Sequence, residues 1–267
     1  MKTWLNLKDK IVIVTGGASG IGLAIVDELI EQGANVQMTD IHGGDKYRNG
    51  ENYRFWPTDI SRADEVNHSV EQIIQRCGRI DGLVNNAGVN FPCLLVDEKA
   101  PAGRYELNEA AFEKMVNINQ KGVFLMSQAV ARQMVKQREG AIVNVSSESG
   151  LEGSEGQSCY AATKAALNSF TRSWSKELGK HGIRVVGVAP GILEKTELRT
   201  PEYEEALAWT RNITVEQLRA GYSKNAIPIG RSGRLSEVAD YVCYLLSERA
   251  SYITGVTTNI AGGKTRG

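Results

Sequence analysis

The chain has 267 residues, 42% of them apolar and 23% charged, with 31 Lys+Arg balancing 31 Asp+Glu. That balance excludes nucleic acid or an anionic membrane as the main partner, because both need a concentrated basic surface. Cys77, Cys93, Cys159 and Cys243 are dispersed and form no CxxC pair, which argues against a structural zinc site or a disulfide framework. No metal is expected. The first residues, MKTWLNLKDK, carry no apolar h-region, and the chain has no continuous apolar run of the roughly 18 residues a membrane span needs. A reduced, cytoplasmic protein is the expectation.

In chain order, the first apolar run is KIVIVT (10–15), β-branched and nearly continuous, as in a strand buried on both faces. Segments 35–40, 53–59, 81–87, 140–147, 183–190 and 255–262 read the same way. Between them, 20–32 places Ile21, Ala24, Ile25, Glu28 and Leu29 at helix spacing, with Gly33 as a stop. Segments near 62–77, 109–137, 158–180 and 235–247 also read as helices. Such alternation predicts an α/β protein: a single-domain Rossmann fold over 1–267, with a doubly wound parallel sheet of about seven strands flanked by helices. Two excursions, 89–108 and 191–222, exceed ordinary loop length and mark substrate loops. The second holds helical stretches, PEYEEALAWT and TVEQLRAGY.

After the first strand comes TGGASGIG (15–22). Gly16, Gly20 and Gly22 there let backbone approach a pyrophosphate, and the following helix N-terminus offers unpaired N–H groups. The spacing is GxxxGxG rather than GxGxxG, and a tight turn alone would also use glycine. Asp40, at the end of the second strand, suits a ribose and repels a 2′-phosphate, favouring NAD over NADP. His42, Lys46 and Arg48 nearby weigh slightly the other way. Asp59 ends the third strand, where it can meet an adenine edge, and NNAG (85–88) ends the fourth.

In SCYAATKAAL (158–167), Tyr160 and Lys164 lie at i and i+4, on one helix face. A free phenol titrates near ~10, too high for a base at neutral pH. An adjacent ammonium is expected to lower it. Ser147, thirteen residues before Tyr160, supplies a hydroxyl to hold a substrate oxygen. Each feature alone also has a bland reading, as an exposed pair or a cap. Together they point to a phenol that moves a proton while a nicotinamide moves a hydride.

With TGGASGIG, Asp59, NNAG, VNINQKGVF, VSS, YAATK and APGI, the chain resembles the classical short-chain dehydrogenase/reductase family over essentially its whole length. The resemblance implies a catalytic set of Asn119, Ser147, Tyr160 and Lys164, with Asn117 a neighbouring alternative to Asn119. In the family that Asn holds a water beside the lysine. The resemblance also implies an NAD site of Gly16, Ser19, Gly20, Ile21, Gly22, Asp40, Asp59, Ile60, Asn86, Ala87, Gly88, Tyr160, Lys164, Pro190, Gly191, Ile192 and Thr196. Thr196 stands one residue later than in many relatives. A homotetramer built on 109–137 and 158–180 is implied as well. Phe170 and Trp174 fit a buried helix face, and Cys159 a small buried filler. The competing readings are an unphosphorylated polyol or ketose, or another secondary alcohol, as substrate, then non-catalytic nucleotide sensing and NADPH-linked biosynthesis.

For the substrate, Glu148, Glu152 and Glu155 suit a polyol. Lys195, Arg199, Lys224, Arg231, Arg234 and Arg104 offer cations for a sugar phosphate. Glu148, Glu155, Lys195 and Arg199 are the residues expected at the substrate.

Overall fold

The computed structural model describes residues 4–43, 50–222 and 227–264. Lys46, Arg48 and Lys224 lie outside them. The strands are β1 (Ile11–Thr15), β2 (Asn35–Asp40), β3 (Tyr53–Pro57), β4 (Gly82–Asn85), β5 (Gly140–Val145), β6 (Ile183–Pro190) and β7 (Thr257–Ile260). They form one seven-stranded parallel sheet in the order β3-β2-β1-β4-β5-β6-β7. The helices are α1 (Gly20–Glu31), α2 (Ala63–Cys77), α3 (Glu109–Val116), α4 (Val123–Gln137), α5 (Ser149–Glu152), α6 (Ser158–Leu178), α7 (Pro201–Thr210), α8 (Val215–Ala220) and α9 (Leu235–Leu246). No helix among the described residues is long and apolar enough to cross a membrane.

Strand side chains alternate between faces, and the core divides accordingly. Val12, Val14, Val36, Met38, Val143, Val145, Val186 and Val188 join Ile25 and Leu29 of α1 and Val238 and Val242 of α9 in one layer. Ile13, Leu83, Ile142, Ile183 and Val185 join Ile73 of α2 and Met126, Val130 and Met134 of α4 in the other. Helices on both faces are why β1 reads as an unbroken apolar run with all five residues buried. β3 and β7 are the sheet edges and only half-buried, so the expectation of two-sided burial fails for those two strands.

The single helix expected over 109–137 is three pieces. Between α3 and α4, Asn117–Gly122 forms a π-helical turn, of the kind that recurs at functional sites. Gly122 is pressed onto the third strand's exit: an added Cβ would lie 2.7 Å from Ile60 Cδ1.

The second excursion buries its own small cluster, with Leu207, Ala208 and Leu218 packed by Tyr203, Val215 and Tyr222. It is stitched to the first excursion by Trp209, whose Nε1 donates to Oδ2 of the buried Asp97 at 2.8 Å. Phe170 and Trp174 are half-buried and stacked on each other, centroids 4.5 Å apart.

Candidate active site

The strand order reverses between β1 and β4, and the carboxyl ends of strands at such a switch point leave a crevice. There a cleft of about 450 Å³ opens. Its walls include Gly16, Ser19, Gly20, Ile21, Asp40, Asp59, Ile60, Asn86, Ala87, Gly88, Ser147, Tyr160, Lys164, Pro190, Gly191, Ile192 and Thr196. Gly22 and Asn119 stand behind the wall rather than in it.

The glycines of the first turn do different jobs. Gly16 has φ +63°, and its N–H donates to the Thr39 carbonyl at 2.8 Å. A Cβ on Gly22 would sit 2.0 Å from the Gly16 carbonyl oxygen and 2.5 Å from Asn86 Nδ2, so Gly22 is fixed by packing of helix on turn. Asn86 Nδ2 donates to the carbonyls of Thr15 and Gly16, both at 3.1 Å. Its amide therefore holds the turn in shape, and only the remaining surface of Asn86 faces the cleft. Gly20, with φ +53°, faces Thr196 across the cleft, an added Cβ reaching that side chain at 3.5 Å. The Ser19 hydroxyl makes no cap bond, which leaves the first N–H groups of α1 and its partial positive charge for an anion.

Asp40 Oδ1 accepts from the Ile41 N–H at 2.8 Å and Oδ2 from the Ala18 N–H at 3.2 Å. Its carboxylate stands at the lip beside the turn. Asp59 Oδ1 accepts from the Ser61 N–H and hydroxyl, at 2.9 and 2.7 Å. An open cradle of small residues, a free helix N-terminus and a carboxylate at the second strand fit a dinucleotide with an unphosphorylated ribose. Among the described residues no group of three or more His, Cys, Asp or Glu is placed to hold a metal.

On the far side, α6 carries Tyr160 and Lys164 to the end of β5. The Tyr160 hydroxyl is hydrogen-bonded to the Ser147 side chain, and Lys164 Nζ lies 5.7 Å from the Tyr160 ring centroid. The lysine is buried and donates to the Val145 carbonyl at 2.8 Å. Burial lowers its pKa to about 8. Burial also pushes the Tyr160 phenol up, against the lowering by Ser147 and with a further push from Glu148. The lowering of the phenol pKa expected from Lys164 is not seen: desolvation of the ring outweighs the hydrogen bond to Ser147.

Asn119 is fully buried in the π turn. Its Oδ1 accepts from the Val89 N–H, and its Nδ2 donates to the Val89 carbonyl, each at 2.8 Å; Nδ2 also donates to Thr163 Oγ1 at 3.1 Å. The side chain thus ties the loop after β4 to α6. The π turn is what brings this amide, rather than that of the half-buried Asn117, to Val89. An added Cβ on Gly88 would meet Asn119 Oδ1 at 3.2 Å and Lys164 Nζ at 3.5 Å, so Gly88 brings backbone close to both groups.

The substrate expectations divide. Glu148 lines the cleft but is ion-paired with Lys264 at 3.0 Å, as is Glu152 at 3.5 Å. Arg199 lines it. Glu155 and Lys195 do not: both are exposed on the outer surface of their loops, because Gly156 and Thr196 turn inward beside them. Arg231 is held by Glu237, and Arg104 lies over the Tyr105 ring. Neither they nor Arg234 line the cleft.

Asn90, Gln157, Tyr203, Arg211 and Lys264, which no motif singled out, line it too. Tyr203 Oη accepts from Gln157 Nε2 at 2.8 Å and Asn90 Nδ2 at 3.3 Å, joining three distant segments. Residues spread over such separations share no spacing that a sequence reader can recognise. Cys159, beside Tyr160, is buried, its Sγ 3.8 Å from the Phe112 carbonyl, and behaves as filler.

Known proteins share this arrangement. The chain is 86% identical to the sorbitol-6-phosphate 2-dehydrogenase of Klebsiella pneumoniae over the whole of both chains. It is 37% identical to the 3-oxoacyl-acyl-carrier-protein reductase of Thermotoga maritima, over 97% of this chain and 99% of that one. The crystal structure of the Brucella melitensis 3-ketoacyl-(acyl-carrier-protein) reductase complexed with NADH superposes with a TM-score of 0.80 at 26% identity, covering 97% of this chain and 100% of the other. The short chain dehydrogenase family model matches residues 10–207, from the first strand through the glycine turn and the Tyr160–Lys164 helix to α7, and the chain belongs to that family.

Proposed function

We propose that this enzyme interconverts D-sorbitol 6-phosphate and D-fructose 6-phosphate with NAD. One observation carries the chemistry: Ser147, Tyr160 and Lys164 converge on the cleft that also holds the glycine turn and Asp40. The substrate rests on the 86% identity over full length to an enzyme of that name.

Bound NAD would supply the hydride acceptor. Gly16, Ser19, Gly20 and Ile21 would hold the pyrophosphate, Asp40 the adenosine ribose, and Pro190, Gly191, Ile192 and Thr196 the nicotinamide end. Ser147 holds the C2 oxygen, and Tyr160 removes the hydroxyl proton in oxidation and returns it in reduction. Lys164 and Asn119 complete the proton path. The test follows NADH absorbance on adding D-fructose 6-phosphate, with D-fructose in parallel. Rapid oxidation with the phosphate alone is expected. Activity with the free sugar alone would remove the phosphorylated substrate and leave the chemistry.

Because burial holds Tyr160 above the ordinary phenol value, its protonated form dominates at neutral pH. Oxidation needs the deprotonated form, so kcat/KM for the polyol phosphate rises with pH between about 6 and 9. Reduction uses the protonated form and stays flat over neutral pH before falling in alkali. An oxidation profile that does not rise would remove Tyr160 as the base. For the cofactor, Asp40→Asn is expected to narrow the NAD over NADP ratio of kcat/KM by about tenfold or more, since it removes a charge facing a 2′-phosphate. An unchanged ratio would place the discrimination elsewhere.

We further propose a cytoplasmic homotetramer. Phe112 and Phe124 are 48% and 40% exposed on α3 and α4, which supports association through those helices. Light scattering should return four chains, and a monomer would remove the assembly.

A further inference from the structure

The cleft wall beyond Tyr160 is made by the second excursion, and its charges are unevenly matched. Several basic groups nearby already have carboxylates: Arg219 with the buried Glu204, Arg231 with Glu237, and Lys264 with Glu148 and Glu152. The two arginines that line the cleft do not. Among the described residues, Arg199 and Arg211 have no carboxylate within ion-pair distance, and both line the cleft. Arg199 lies flat on Tyr222, guanidinium carbon 4.2 Å from the ring centroid, and donates from Nη2 to the Leu193 carbonyl at 2.9 Å. Arg211 donates from Nη2 to Ser154 Oγ at 3.2 Å, and Ser154 in turn donates to Gln157 Oε1 at 2.7 Å.

The two guanidinium groups line one cleft with Tyr160, Tyr203 and Tyr222. Hydrogen bonds run on from Arg211 through Ser154 and Gln157 to Tyr203, whose Oη accepts from Gln157 Nε2 at 2.8 Å. A guanidinium has five N–H donors. Each of these side chains spends one on a neutral oxygen that fixes its position, and the others are left for a ligand. Two braced, uncompensated cations in a cleft are a site for a multiply charged anion, and the planar fork suits phosphate oxygens.

We propose that Arg199 and Arg211 form the subsite for the substrate's phosphate, with Tyr222 as the platform that supports Arg199. The assignment rests on the sugar-phosphate reading of the cleft. It gives the substrate phosphate two cations of its own, apart from the N–H groups of α1 that face the dinucleotide pyrophosphate. Glu148, held by Lys264, faces the polyol part instead.

The experiment compares kcat/KM for D-sorbitol 6-phosphate with that for D-sorbitol in the wild type and in Arg211→Met, Arg199→Met and Arg211→Lys. Loss of one charged pair of hydrogen bonds should cut the phosphate-to-free-sugar ratio about ten- to hundredfold in each Met variant. The Lys variant should keep part of it, and the KM for NAD should stay within about twofold. Inorganic phosphate should compete with the sugar phosphate in the wild type, and its inhibition constant should rise with Arg211→Met by a similar factor. Arg199 also braces Leu193, so if Arg199→Met does not fold, Arg211→Met and the phosphate competition decide. Met variants that keep the wild-type ratio, or phosphate inhibition untouched by Arg211→Met, would overturn the clamp. A wild type that shows no preference for the phosphorylated polyol would instead overturn the sugar-phosphate reading, and the clamp with it.

Discussion

Tyr160→Phe is expected to lower kcat about 10²- to 10⁴-fold in both directions, the usual contribution of a positioned acid–base group. NADH binding, read by fluorescence titration, should stay within about twofold. The reason is local. The substitution removes only the hydroxyl bonded to Ser147. The helix that carries it stays anchored by Lys164 on the Val145 carbonyl, Ser146 Oγ on the Lys164 carbonyl and Asn119 on Thr163. None of these uses the phenol oxygen. A variant with more than a tenth of wild-type turnover would remove Tyr160 from the chemistry. A variant that also loses NADH would mean that the phenol matters for building the cleft rather than for moving a proton.

Gly22→Ala is expected to weaken NAD binding at least about tenfold and to lower stability by roughly 1–3 kcal/mol, the ordinary range for overpacking. Its Cβ would enter a space where the nearest atoms are the Gly16 carbonyl oxygen at 2.0 Å and Asn86 Nδ2 at 2.5 Å. Both are backbone or pinned to backbone, so neither can swing aside. The helix must back away from the turn, and its N–H groups then move off the pyrophosphate position. Gly179→Ala is the control, because its backbone is already helical and nothing lies within 4 Å of the added carbon. It should be neutral or slightly stabilising, since it restricts the unfolded chain. Thermal unfolding with and without NAD separates the two effects. Equal melting curves and equal NAD shifts for the two variants would mean that the turn yields, and that Gly22 is not fixed by packing.

The glycine turn, Asp40 and the Tyr160–Lys164 pair were legible because each is local. A strand-to-helix turn must use glycine where backbone meets backbone, and i,i+4 spacing puts two side chains on one face. The sheet was legible for the same reason. Five buried residues in β1 write two-sided burial directly into the composition of the strand. Where a strand lies at an edge, as β3 and β7 do, that signal is diluted by half-buried positions.

Other features had no local cause. The π turn at Asn117–Gly122 has helical composition throughout, and it is the packing of Gly122 on Ile60 and the pairing of Asn119 with Val89 that select it. Glu148 and Glu155 looked equivalent in sequence, yet one lines the cleft and the other is exposed, because a loop's side chains take their direction from what the loop packs on.

The sequence by itself determined the parallel α/β sheet and the family, and it singled out the glycine turn, Asp40 and the Tyr160–Lys164 pair that the fold brings to one cleft, since those depend on backbone geometry and short spacings. Tertiary structure alone decided the pKa balance at Tyr160, where burial outweighs the hydrogen bond to Ser147. It also decided which cations stand uncompensated in the substrate cleft. Whether an arginine is free for a ligand depends on which carboxylates the fold brings beside it, and Arg199 and Arg211 differ from Arg219 and Arg231 in that respect as well as in lining the cleft.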